Sequence, residues 1–182
     1  VEVVVQAPEV TWEQIVATIR VSYIDVYGCT AGHAIAGNPA ARPGRAVDVS
    51  TLRDVTSVSV CRYDLAEGVL LSGWRLDGDD AARAVRGIAA VPVGGETDRP
   101  GDCDAEYAYG EDAVVLRVRS SAGESDVLLR YAGCVGNGFD DGVHRRALGR
   151  AWEPFTIGPT RVLALEADVP PSASTTPQPG SS

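Results

Sequence analysis

Cys29, Cys61, Cys103 and Cys134 stand about thirty or more residues apart, and that spacing limits what chemistry the thiols can do. No two are close enough for the CxxC of a redox centre or a zinc knuckle. His33 and His144 are the only imidazoles, so a zinc site would need mostly thiolates from distant elements. An even number of widely spaced cysteines reads instead as two disulfides formed in an oxidising compartment, with free buried thiols as the alternative. Of the three possible pairings, the nearest-neighbour one joins Cys29 to Cys61 and Cys103 to Cys134. Each bond would then close a loop worth roughly 3–4 kcal/mol in the chain-entropy picture.

The remaining chemistry is sparse. A Cys–His nucleophile needs a free thiol, which the disulfide reading denies. No GxSxG elbow is present, and neither histidine assembles a Ser-His-Asp set by spacing. Carboxylates recur throughout an acidic chain, so a glycosidase pair cannot be singled out. Residues 136–142 (GNGFDDG) and 77–80 (DGDD) resemble calcium loops in composition. Both lack the alternating acids and final glutamate of an EF-hand, and helix capping accounts for them. No cofactor motif is present.

One stretch stands out as a surface. Residues 96–112 carry seven acids against a single arginine, around Tyr107 and Tyr109. Cys103 braces this loop. Asp102, Asp104, Glu106, Tyr107 and Tyr109 are therefore the candidate contact residues for a basic protein partner: tyrosines supply area and carboxylates supply steering. Its rival is a solvated loop held by its disulfide.

Composition narrows the partners. Twenty-five acids against 16 bases give a net charge of −9, which repels nucleic acid and anionic membrane surfaces. Every base is arginine, as in proteins of GC-rich genomes. Methionine is absent, so Val1 is not a translation start, and a processed mature form or an excised fragment is expected. No run approaches the roughly 20 apolar residues of a membrane span.

The elements that must position these groups follow from periodicity. VEVVV opens as a strand, and Thr11 with Gln14 forms a capping box before a helical stripe of Trp12, Ile15, Val16 and Ile19. Residues 30–50 read as a long Gly/Ala/Pro loop. In VTSVSVCRYD, Val58, Val60 and Arg62 share one face, with Ser57, Ser59, Cys61 and Tyr63 on the other. Past a turn at Glu67-Gly68 comes a return strand, VLLSGWRLD. DGDDAARAVRGIAAVP is the clearest helix, capped by Asp79 or Asp80, striped by Ala81, Ala84, Val85 and Ile88 and stopped by Pro92. A hairpin then pairs AVVLRVRS with SDVLLRYAG through a turn at 121–124, with Val114, Leu116 and Val118 facing one way and Val127, Leu129 and Tyr131 sharing a face on its partner. Beyond Asn137-Gly138, Asp140 or Asp141 would cap a second helix, GVHRRALGRAW, ended by Pro154. RVLALEAD is a last strand, and Trp12, Trp74 and Trp152 are core-facing. A Cys103–Cys134 bond would clamp both ends of the 113–133 hairpin.

The segments Val60-Cys61-Arg62-Tyr63, the isolated Cys103, LLRYAG, and Gly133-Cys134 followed by Asn137-Gly138 resemble a group of exported actinobacterial proteins, often lipoproteins, of unknown function. The likeness spans about residues 55–150; Asp104 stands where that pattern leads one to expect proline. It implies an extracellular or envelope location and no activity.

The expectation is an α+β fold: an antiparallel sheet of β-hairpins packed on one face by two or three helices, with two disulfides. A single domain would span 1–168, and 169–182 would be a disordered Pro/Ser/Thr-rich tail. The leading reading of function is an exported, non-enzymatic module binding a protein or envelope partner. A protease inhibitor presenting a disulfide-braced loop, or a hydrolase with an unrecognised site, are its alternatives.

Overall fold

The computed structural model describes residues 23–155. The strand at 1–5, the helix at 11–19 with Trp12, the strand at 161–168 and the tail at 169–182 lie outside them.

Six antiparallel strands form one sheet in the order β2-β1-β3-β4-β5-β6. They are β1 (Ser57–Asp64), β2 (Leu70–Asp77), β3 (Asp112–Ser120), β4 (Gly123–Arg130), β5 (Gly138–Asp140) and β6 (Arg145–Arg146). β1 is sandwiched between β2 and β3, with Val60 opposite Trp74 on one side and Leu116 on the other. The β3–β4 hairpin closes more tightly than its sequence suggests. Ser120 pairs with Gly123, leaving only Ser121 and Ala122 in the turn, and Gly123 supplies a φ of +98° that a side chain would resist.

Alternation along the strands builds two cores. On the first face Val58, Val60, Val114, Leu116, Val118, Val127 and Leu129 are all buried. The helix α2 (Gly78–Ala90) lies on them, sinking the expected stripe of Ala81, Ala84, Val85 and Ile88. It starts two or three residues earlier than a cap at Asp79 or Asp80 would allow. Asp77 is the N-cap residue, and Asp79 and Asp80 fall in the first turn, where carboxylates suit the helix dipole. Trp74 and Trp152 pack against this core, and Phe139 meets Phe155 edge-on at 6.1 Å.

The second face is covered by the start of the 30–50 stretch read as a loop and by the residues just before it. Residues 23–37 fold back across it, and the four-residue helix α1 (Ala34–Gly37) buries Ile35 and Ala36 against Cys61, Tyr63, Val115 and Leu128. The two helices thus lie on opposite faces of the sheet. His33 caps α1, its Nδ1 accepting the Ile35 N–H at 3.2 Å. A 3₁₀ turn at Val49–Thr51 ends the 30–50 stretch, and seats Val49 in the first core. The cover is stapled by Cys29–Cys61, whose α-carbons are 5.5 Å apart and whose side chains are fully buried. Tyr63 adds a hydroxyl bond to the Thr30 carbonyl at 2.8 Å.

The helix expected over 142–152 does not form. Asp141 does bind the N–H groups of Val143 (2.9 Å) and His144 (2.6 Å), as a helix cap would. Gly142, however, adopts φ +85°, which is incompatible with a first helical turn, and the chain reverses. Arg146 then pairs with Phe139, and Arg145 with Asp140, making β5–β6 a short hairpin on the edge of the sheet. A 3₁₀ turn at Glu153–Phe155 is the only helical piece in that region among the described residues.

Candidate functional site: a clasped acidic loop

Cys103–Cys134 forms as the nearest-neighbour pairing requires, with α-carbons 6.2 Å apart. It joins the acidic loop to the exit of β4, clamping the hairpin from both ends. Backbone bonds run beside it. Arg99 N–H donates to the Cys134 carbonyl (2.7 Å), while Cys134 and Val135 N–H both donate to the Ala108 carbonyl (2.8 and 2.9 Å). The Asp98 carboxylate accepts the Gly136 N–H at 2.7 Å, and Glu96 accepts the Leu148 N–H at 2.9 Å. Gly133 is needed for this approach: a β-carbon there would stand 2.6 Å from the Ala108 carbonyl oxygen.

The five candidate contact residues separate into two groups. Asp102, Asp104, Glu106 and Tyr107 are exposed around two short 3₁₀ turns, Pro100–Asp102 and Ala105–Tyr107. Asp102 pairs with Arg99 at 3.4 Å, an exposed contact worth little. Tyr109 turns inward instead. Its ring lies under the Arg130 guanidinium, 5.7 Å from ring centroid to Cζ, and beside Gly136. Arg130 is buried, donates to the Ala41 carbonyl at 2.6 Å, and burial pushes its pKa down. Tyr109 therefore anchors the base of the loop, and the presented surface is three carboxylates and one phenol ring.

Three further polar clusters were not visible in the sequence. Arg62 and Tyr131 both converge on the buried Asp112 carboxylate above the first core. Burial first, then the bond to Asp112, raises the Tyr131 pKa and keeps its hydroxyl protonated. At the C-terminal end of α2, Arg146 donates to Ala89 and Val91 carbonyls (3.3 and 3.5 Å) and to Asp48 (3.0 Å). Arg42 grips Asp140 with two nitrogens at 2.9 and 2.7 Å, a fork-to-fork pair. Cross-strand partners of this kind could be read from sequence only once strand register is known.

Among the described residues both histidines and all four cysteines have partners. His33 Nδ1 accepts the Ile35 N–H at 3.2 Å, and its Nε2 stands 3.7 Å from Asp126. His144 pairs with Asp48 at 3.5 Å. All four cysteines are oxidised. No three His, Cys, Asp or Glu side chains converge on a metal-sized point among the described residues. GNGFDDG spends its acids otherwise: Asp140 on Arg42 and Asp141 on backbone amides. Among the described residues no helix is long and apolar enough to cross a membrane.

No family model, curated protein or solved structure matches the chain.

Three ion-paired carboxylates predict an acid response. For Asp140, burial pushes the pKa up, but Arg42, the Gly142 N–H and Arg145 outweigh it and hold it below the ordinary value. Asp126 is likewise lowered against its burial, by His33 and Arg117, and Asp48 is lowered chiefly by its bonds to Ser50. A depressed folded pKa contributes stability in full above the unfolded value, about 3.9, and loses it as pH falls through the folded value. Urea midpoints should thus hold level between about pH 6 and 5 and drop below about pH 4. Asp140→Asn should start lower at neutral pH and fall less steeply.

Proposed function

We propose that this protein is an exported, non-enzymatic module that binds a protein or cell-envelope partner through its clasped loop. One observation carries the reading: the Cys103–Cys134 bond and its flanking backbone bonds fix the loop, yet leave Asp102, Asp104, Glu106 and Tyr107 facing water. A loop fixed before binding loses less entropy on contact, and an acidic rim around an aromatic ring favours a basic partner. The two disulfides support the exported location. The resemblance to exported actinobacterial proteins gives the same location.

The test compares the protein with a D102N/D104N/E106Q variant for binding to the envelope fraction of the producing cell across a salt series. Neutralising exposed carboxylates leaves the fold unchanged, so circular dichroism and urea midpoint should match. Binding should weaken about ten-fold, about 1.4 kcal/mol, and its salt dependence should flatten. Equal binding by both proteins would refute the loop as the contact surface. A protease inhibitor would instead titrate a protease one to one, with cleavage-resistant residues inside 94–112.

A further inference from the structure

Residues 100–107, the arc that carries Asp102, Asp104, Glu106 and Tyr107, stand between two fixed feet. At one foot Arg99 N–H donates to the Cys134 carbonyl at 2.7 Å. At the other the Ala108 carbonyl accepts from Cys134 and Val135, at 2.8 and 2.9 Å. Between them the arc bonds only to itself and to its feet. Asp102 N–H donates to the Arg99 carbonyl (2.9 Å), Tyr107 N–H to the Asp104 carbonyl (3.0 Å), and the Arg99 and Asp102 side chains pair at 3.4 Å. Among the described residues, and apart from the backbone, Cys103–Cys134 is the one bond joining this arc to the rest of the molecule.

We infer that Cys103–Cys134 is a thiol–disulfide exchange site: a dithiol reductant opens it in the folded protein and frees the arc, while Cys29–Cys61 stays closed. Exchange needs a thiolate to reach one sulfur, and exposed disulfides are the ones that react. Cys29 and Cys61 are 0% and 1% exposed beneath Ile35 and Leu128, whereas Cys103 and Cys134 are both partly exposed. The reductant's first thiolate attacks the Cys103 sulfur, forming a mixed disulfide and expelling Cys134 as a thiolate. Negative charge settles less readily on Cys103, between Asp102 and Asp104, so Cys134 is the better leaving group. The second thiol then closes the reductant into a cyclic disulfide and releases Cys103. Two electrons pass to the cystine, and the two thiol protons end on the two cysteines. The same acids select the reductant: an anionic thiol meets like charge, and an aminothiol brings a compensating ammonium.

Opening the bond leaves the limbs of the loop in place. Glu96 still accepts the Leu148 N–H, Asp98 still accepts the Gly136 N–H, and Tyr109 still lies under Arg130. The freedom gained is therefore confined to 100–107, the stretch that presents the three carboxylates and the phenol ring. A contact surface that must be ordered on binding costs more entropy than one already fixed. Reduction thus weakens binding through the loop; this consequence, though not the exchange itself, rests on the contact role proposed above.

The test treats the native full chain with graded dithiothreitol, traps thiols with iodoacetamide and maps them by peptide mass spectrometry. Cys103 and Cys134 should be alkylated at a reductant concentration about ten-fold or more below that needed for Cys29 and Cys61. At equal thiolate concentration cysteamine should open the bond several-fold faster than mercaptopropionate, less so in high salt, and its trapped adduct should sit on Cys103. Amide exchange at Asp102 and Tyr107 should accelerate in the opened protein, with the β3 amides unchanged. Binding of the opened protein to the envelope fraction should weaken about ten-fold, and C103S/C134S should match it with or without reductant. Alkylation of all four cysteines together, or unchanged exchange at Asp102 and Tyr107 after opening, would overturn the inference. Equal binding by D102N/D104N/E106Q and the parent would remove the contact role alone, and the cysteine map would still decide the exchange site. Weaker binding by that variant, with no change on reduction, would overturn the control of binding.

Discussion

Removing the Cys29–Cys61 bond as C29A/C61A is expected to lower the unfolding free energy by about 4 kcal/mol. The bond spans 32 residues, so releasing it returns considerable entropy to the unfolded chain. It also sits at 0–1% exposure inside the second core, and its loss opens packing that Ile35, Tyr63 and Leu128 share. C103A/C134A releases a loop of nearly equal span, 31 residues, but from half-exposed positions. The backbone bonds from Arg99, Cys134 and Val135 remain in that variant, so the expected loss is smaller, about 2–3 kcal/mol. Paired urea titrations of the two variants check the order. Equal losses would mean that chain entropy alone sets their value and that the second core contributes nothing extra.

Asp141→Ala is expected to cost about 3–5 kcal/mol, because the carboxylate is the hub between three segments. It is 1% exposed and accepts from the N–H groups of Val49 (3.0 Å), Val143 (2.9 Å) and His144 (2.6 Å). Its other neighbour is the Arg146 Nε at 3.8 Å, on a side chain that is itself buried. Alanine strands three amides and leaves a buried guanidinium with Asp48 alone as its carboxylate partner, and each unsatisfied amide costs on the order of 1–3 kcal/mol. Asp141→Asn keeps an acceptor oxygen but loses the charge, so it should fall about midway. Amide exchange at Val49, Val143 and His144 should accelerate in both, and fastest in the alanine variant. Unchanged exchange at these amides would show that water replaces the carboxylate freely.

Asp141 also explains where sequence reading fails. Its capping chemistry was legible and is present in the structure, yet it serves a reversal rather than a helix. The deciding features are the positive φ of Gly142 and the pairing of Arg146 with Phe139, and neither has a local signature. By contrast β1, β3 and α2 carried periodic apolar positions, and their inward faces came out as the alternation demands. The cover over the second face was illegible for an energetic reason. Its helix is four residues long, too short to show a period, and it exists because tertiary contacts and a disulfide hold it.

The candidate loop was half legible. Cysteine spacing located its clasp, and charge marked its surface. The inward turn of Tyr109 depends on Arg130 and on the small residue Gly136, which are distant in sequence. Arg117 and Arg119 share a phase in the alternation of β3. Their meeting with Asp126 and Glu124 awaited the two-residue turn that sets the hairpin register.

The whole architecture depends on two covalent bonds: one closes the lid over the sheet's second face, the other pins the acidic loop. Quantifying thiols in protein isolated without reductant and unfolded in guanidinium measures this directly. The account predicts no reactive thiol before reduction and four after it. Four reactive thiols in the unreduced sample would contradict it, and would remove the support for the proposed extracellular location.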